Sequence, residues 1–158
     1  MKFKFLKITT LSAAIMIGGF AQTATSHTGA MGIIKERMDN MVIMGKALGA
    51  VADMLKGKRD FDAGVVSQTG DVLIQHSKTM GSLFPDTEES RLGKYSAALP
   101  VVWEKNDEFL ALAKSLEEKA EILKTVASGG DLKMIKVAFG QTAKTCSACH
   151  ADFRKKKD

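Results

Sequence analysis

The sequence predicts an all-α protein, an antiparallel four-helix bundle, on three observations. Four long stretches repeat their apolar residues at alternating spacings of three and four, the period of a helix with one inward face. Turn-formers and β-favouring aromatics are scarce: aromatics are 6%, with 14 Gly and 2 Pro, the prolines confined to positions 85 and 100. A sandwich or barrel of many short strands needs more of both. The length of 158 residues, 45% hydrophobic and 26% charged, suits one globular domain and excludes disorder as the dominant state.

Residues 1–21 stand apart from the four helices. Lys2, Lys4 and Lys7 precede an apolar run from Ile8 to Ala21, broken only by Thr and Ser. A basic start, a short apolar stretch and small residues after it read as a secretory signal, with cleavage between positions 21 and 26. The run is shorter than the roughly 20 residues a membrane-spanning helix needs, so no stable membrane insertion is expected. Removing residues 1–21 takes away three lysines and no acid, lowering the formal charge from +5 to +2. Residues 22–158 are then nearly neutral, and nucleic-acid binding loses its compositional support.

The first helix is expected from about Gly32 to Lys56, with Ile34, Met38, Met41, Gly45, Leu48, Ala52 and Leu55 facing inward. Gly57 and Lys58 suit its stop. The second runs from about Asp62 to Ser82, with Thr69, Leu73, His76, Met80 and Leu83 on one stripe; His76 reads as a hydrogen-bonded core histidine. Phe84 to Pro100 is one long irregular connection. The third helix, about Val101 to Ala127, turns Val102, Phe109, Ala113, Leu116, Ala120 and Leu123 inward. Ser128-Gly129-Gly130-Asp131 supplies a stop, a turn and an N-cap. The fourth helix, about Leu132 to Phe153, carries Ile135, Phe139, Thr142, Cys146 and Cys149 on one stripe. Helices of ~20–25 residues are each ~30–37 Å long. Four of comparable length with mostly short connections pack as an antiparallel bundle, and such bundles build cofactor sites between facing helices.

The chemistry lies in Thr145-Cys146-Ser147-Ala148-Cys149-His150. A structural disulfide between cysteines three apart closes almost no loop and adds little stability. A Cys-x-x-Cys-His run in an exported chain is the attachment signature of c-type haem. Two thiols on one helical turn can each form a thioether to the same porphyrin, and His150 then offers an imidazole nitrogen to the iron. Two other chemistries fit less well. A thioredoxin-like dithiol opens a helix after a strand, and no βαβ pattern precedes this pair. Zinc wants four ligands, and beyond the motif only His27 and His76 remain.

A haem motif at the end of a fourth helix resembles the cytochrome c′ family, or class II cytochromes c, over nearly all of residues 22–158. Ala138-Phe139-Gly140 before the motif and Phe153-Arg154-Lys155-Lys156 after it are similar to the family's fourth helix. Leu83-Phe84-Pro85, Leu99-Pro100-Val101-Val102-Trp103 and Phe109 resemble its connection into the third helix. The resemblance implies one covalent haem c and a periplasmic location. It also implies that Arg37, in Ile34-Lys35-Glu36-Arg37, lies near the cofactor. Met41, one turn later, falls where gas-binding members usually carry a bulky apolar residue without a donor. Met41 therefore resembles the distal ligand of the low-spin, methionine–histidine branch.

The residues themselves leave alternatives open. Met38, Met41 and Met44 are spaced by three and cannot all face one point, and methionine is an ordinary core filler. Arg37 either contacts a haem propionate or sits on a solvated face, and Arg154 to Lys157 read mainly as a solvated terminus. No acid, base or nucleophile constellation surrounds the motif, so no enzyme is expected. The expected function is a monohaem electron carrier serving redox partner proteins of the cell envelope. The alternative is a five-coordinate cytochrome c′ that binds nitric oxide or carbon monoxide. The resemblance is compatible with a homodimer through the first two helices and equally with a monomer.

Overall fold

The computed structural model describes residues 29–156, so the expected signal segment lies outside the described residues. Seven helices follow in order: α1 Gly32–Leu55, α2 Ala63–Lys78, α3 Met80–Leu83, α4 Glu88–Leu92, α5 Val101–Glu104, α6 Asn106–Ser128 and α7 Leu132–Phe153. Four of these are long, and α1, α2 with α3, α5 with α6, and α7 form the four bundle members. Among the described residues the only β-pairing is an isolated antiparallel bridge between Ala98 and Arg154.

Local chemistry accounts for the boundaries. The Asp62 carboxylate accepts the backbone N–H of Gly64 at 2.7 Å and of Val65 at 3.2 Å, capping α2. Asp131 does the same for α7 with Lys133 and Met134. Between α6 and α7, Gly130 takes a φ of +67°, the left-handed turn that suits glycine.

Two helices expected to be continuous are interrupted. The second breaks at Thr79, whose hydroxyl donates back to the His76 carbonyl at 2.9 Å and so competes with the helical ladder. The third breaks at Lys105, which sits at φ −123°, ψ 48°, and Asn106 Nδ2 donates to the Val102 carbonyl there. The irregular 84–100 connection also contains α4, capped by Thr87 on the Ser90 amide.

The first helix is rotated relative to the expected stripe. Ile34, Arg37, Met44 and Val51 are buried, with Met41, Leu48 and Leu55 half-buried between them; Gly45 is exposed. The expected and observed stripes share positions 34, 41, 48 and 55 and differ in between. A buried arginine disguised the true face, because hydropathy alone ranks Met38 above Arg37.

The interior divides into two parts. Near the α1–α2 and α6–α7 turns, Val51, Met54, Val66, Leu123, Ala127, Ile135 and Ala138 form an aliphatic core. At the other end Phe84, Trp103, Phe109 and Phe153 join Met44, Leu73 and Met80 in an aromatic one. Between them α2 and α6 approach closely at Gly70, where a Cβ would stand 2.7 Å from Lys124 Cβ and 3.0 Å from the Ala120 carbonyl oxygen.

The C-terminus is less free than its lysines suggest. Leu99 N–H donates to Phe153 O at 3.0 Å, and Lys155 N–H to Ala97 O at 2.8 Å. Lys155 Nζ adds a bond to Ser96 O at 3.1 Å. Backbone pairing with the 97–99 strap, invisible in composition, holds Arg154 and Lys155 instead of a solvated terminus.

Candidate functional site

A cavity of about 530 Å³ opens at the aromatic end, within the roughly 300–1,000 Å³ usual for cofactor and ligand sites. Helix α1 supplies Met38, Met41 and Arg37 to its lining, and α7 supplies Cys149 and His150. Phe84, Phe109 and Phe153 form apolar wall, and Tyr95 to Ala98 of the strap close one side. Cys146, half-buried one turn before His150, packs against the aromatic core, as Met41 and Cys149 do. Cys146, Cys149, His150, Met41 and Arg37 thus gather at one end of the bundle.

One of the three methionines is set apart from the other two. Met41 and Met38 line the cavity, whereas Met44 is buried in the aromatic core and does not line it. His76 is half-buried, with Nδ1 hydrogen-bonded to Asn40 Oδ1, and lies away from the cavity. It is hydrogen-bonded as expected, but at the edge of the core instead of inside it.

Electrostatics suit ligation better than thiol redox chemistry. Burial pushes the Cys146 thiol up, and burial with the neighbouring Cys146 and Asp152 pushes Cys149 up to about 11. Redox-active dithiols need a lowered, thiolate-favouring pKa, the reverse of this pair. Partial burial, then the Arg154 charge, lowers His150, favouring the neutral imidazole that binds metals.

Arg37 departs from one of its two expectations. It is only 5% exposed, so it is not a solvated face residue. Nε donates to Leu83 O at 3.1 Å, Nη1 to Ser90 O at 3.4 Å and to Ser96 Oγ at 3.2 Å, and Nη2 to Ser90 Oγ at 2.6 Å. The guanidinium lies 4.0 Å from the Phe84 ring centroid. Burial lowers its pKa to about 10, which leaves it charged at neutral pH. Reasoning from the sequence missed the strap, Tyr95 to Ala98, as cavity wall. Its one signal was a long connection bracketed by prolines, and such connections often carry binding residues.

The residues present fit a covalent haem: two thiols and an imidazole on one helical face, beside a largely apolar cavity of suitable volume. Comparisons with known proteins agree. A family model described as Cytochrome C' matches residues 32–154. Cytochrome c′ of Rhodopseudomonas palustris is 34% identical over 96% of this chain and 98% of its own length. A solved structure of cytochrome c′ from Rhodopseudomonas palustris superposes with a TM-score of 0.71, covering 82% of this chain and 100% of that one. Cytochrome c-556 of Agrobacterium fabrum is 29% identical over 96% of this chain and 99% of its own. A nitric oxide complex of a variant cytochrome c′ from Alcaligenes xylosoxidans is 26% identical, with a TM-score of 0.68, covering 78% of this chain and 94% of that one. The family binds haem c covalently, and the cysteine pair that such attachment needs stands at Cys146 and Cys149 in a four-helix bundle; the chain belongs to the cytochrome c′ family.

Proposed function

We propose that this chain carries single electrons between redox partner proteins of the cell envelope. In this reading Cys146 and Cys149 form the two thioethers, His150 is the proximal iron ligand and Met41 the distal one. One observation carries it: Met41 on α1 and His150 on α7 line the same cavity, while Met44 is committed to the core. When bound, the haem supplies a reversible one-electron couple, and methionine–histidine ligation raises its potential relative to bis-histidine.

The other residues take supporting parts. Phe84, Phe109 and Phe153 keep water from one side of the cofactor. Arg37 brings a positive charge to the cavity wall, suited to a propionate. Arg154, Lys155 and Lys156 also line the cavity, and among the described residues no carboxylate does, so its mouth suits an acidic partner surface. No substrate turnover is assigned. Residues 1–21 direct export to the periplasm in this reading. Among the described residues no helix is long and apolar enough to cross a membrane. Both a monomer and a homodimer are compatible with this role, and sedimentation velocity of the holoprotein separates them.

The comparisons favour a second reading, a five-coordinate protein binding nitric oxide or carbon monoxide. The relatives named cytochrome c′ include one solved as a nitric oxide complex. The visible and near-infrared spectrum of the purified holoprotein decides between them. A low-spin spectrum with a methionine–iron charge-transfer band is expected; a high-spin spectrum overturns the carrier reading in favour of gas binding.

A further inference from the structure

Arg37 is a buried cation held by neutral oxygens. Among the described residues it makes no ion pair within 4.0 Å, and its four hydrogen bonds go to carbonyl and hydroxyl oxygens of one segment, residues 83–96. Whatever carboxylate the cavity brings to it, its hydrogen bonds within the protein all go to this one segment, and burying a guanidinium costs free energy that a packing role would not need. A leucine would fill this space without that cost, so simple packing is a weak reason for the residue. What arginine adds is reach: five donors in a rigid fork can grip several points at once. Here they grip Leu83, Ser90 and Ser96 together.

The gripped segment continues to the end of α7. Ser96 accepts from Arg37 through its hydroxyl and from Lys155 Nζ through its carbonyl. The strap then pairs with the chain just after His150 through Ala98–Arg154, Leu99–Phe153 and Ala97–Lys155. Arg37 lies one helical turn before Met41 on the same face of α1. A continuous brace therefore runs from the Met41 turn, through Arg37, Ser90 and Ser96, to the end of the helix that bears His150. Gly93 tightens it, because a Cβ there would clash with Ile34 Cδ1, so the segment gripped by Arg37 also lies directly on α1.

We propose that Arg37 is a positioning residue that fixes the separation between Met41 and His150 through the Ser90–Ser96 strap, and so sets how firmly the sixth iron position is closed. The inference rests on the Met41–His150 reading above. Ser90 offers the cleanest test, since it is fully buried, accepts the 2.6 Å bond from Arg37 and does not line the cavity.

The experiment compares ferrous holoproteins of wild type, Ser90→Ala, Arg37→Lys, Met41→Ala and Val51→Ala. Carbon monoxide association, the low-spin fraction and thermal stability are measured on each. Ser90→Ala is expected to speed carbon monoxide binding about tenfold, the effect of one charge-assisted hydrogen bond. Arg37→Lys, a single point charge, should do at least as much. Val51→Ala, in the other core, should lower stability and leave both spectroscopic readouts unchanged. A low-spin wild type whose Ser90→Ala and Arg37→Lys variants lose stability but keep the wild-type rate and spin state overturns the inference alone. A wild type that is already high-spin and insensitive to Met41→Ala overturns the ligand reading and the inference with it.

Discussion

At the closed end of the bundle Val51, Val66, Leu123, Ala127 and Ile135 are fully buried and aliphatic. At the open end aromatic rings and two half-buried methionines surround a cavity of about 530 Å³. One sequence thus supplies two kinds of interior: one completed by its own side chains, the other by a covalently bound group. The closed end follows ordinary packing rules, where each removed methylene is felt. The open end accepts unfavourable features that packing alone would remove, among them a buried arginine, two thiols and an exposed His150 on the cavity wall. Those features mark the end of the molecule that carries function.

Removing the covalent attachment should separate the two ends most sharply. Cys146→Ser combined with Cys149→Ser is expected to yield protein free of haem after acid–organic extraction. Its closed-end helices should remain while the cavity end loses protection, as measured by hydrogen exchange. Retention of haem through extraction would remove the thioether assignment.

Leu123→Ala gives the reverse result. It empties a fully buried position in the aliphatic core and should lower stability by about 2–5 kcal/mol. Denaturant unfolding of the holoprotein reads the loss, and the haem spectrum should stay that of wild type. A changed spectrum would mean that the two cores are not independent.

Gly70→Ala should act at the seam, with a smaller effect. The added Cβ meets Lys124 Cβ and the Ala120 carbonyl, so α2 and α6 must part by a few tenths of an ångström. A loss of about 1–3 kcal/mol is expected by the same unfolding measurement, as for an overpacked site. A stabilised variant would show that helix propensity outweighs the close approach.

The closed end was largely legible in the sequence, and the open end only in part. Asp62, Asp131 and the Ser128–Asp131 turn are local signals, and the helix ends they mark were read within a residue or two. Breaks at Thr79 and Lys105 carry no glycine or proline at the break itself and fall where the Thr79 and Asn106 side chains bond back to carbonyls of the preceding turn. The Cys146–His150 motif is likewise local, so the cofactor was readable. Arg37 was not, because its burial depends on Ser90 and Ser96, more than fifty positions away. By looking polar it also hid the register that buries Met44 and leaves Met38 and Met41 on the cavity wall.

The paired spectra of Met41→Ala and Met44→Ala holoproteins test the open end most directly. Met41→Ala should turn low-spin iron high-spin, admit carbon monoxide readily and lower the reduction potential, because thioether sulfur favours ferrous iron. Met44→Ala, from a buried core position, should lose about 2–5 kcal/mol of stability and remain low-spin. A high-spin Met44→Ala beside a low-spin Met41→Ala would place the sixth ligand on the other methionine and break the division between a self-filled core and a cofactor-filled cavity.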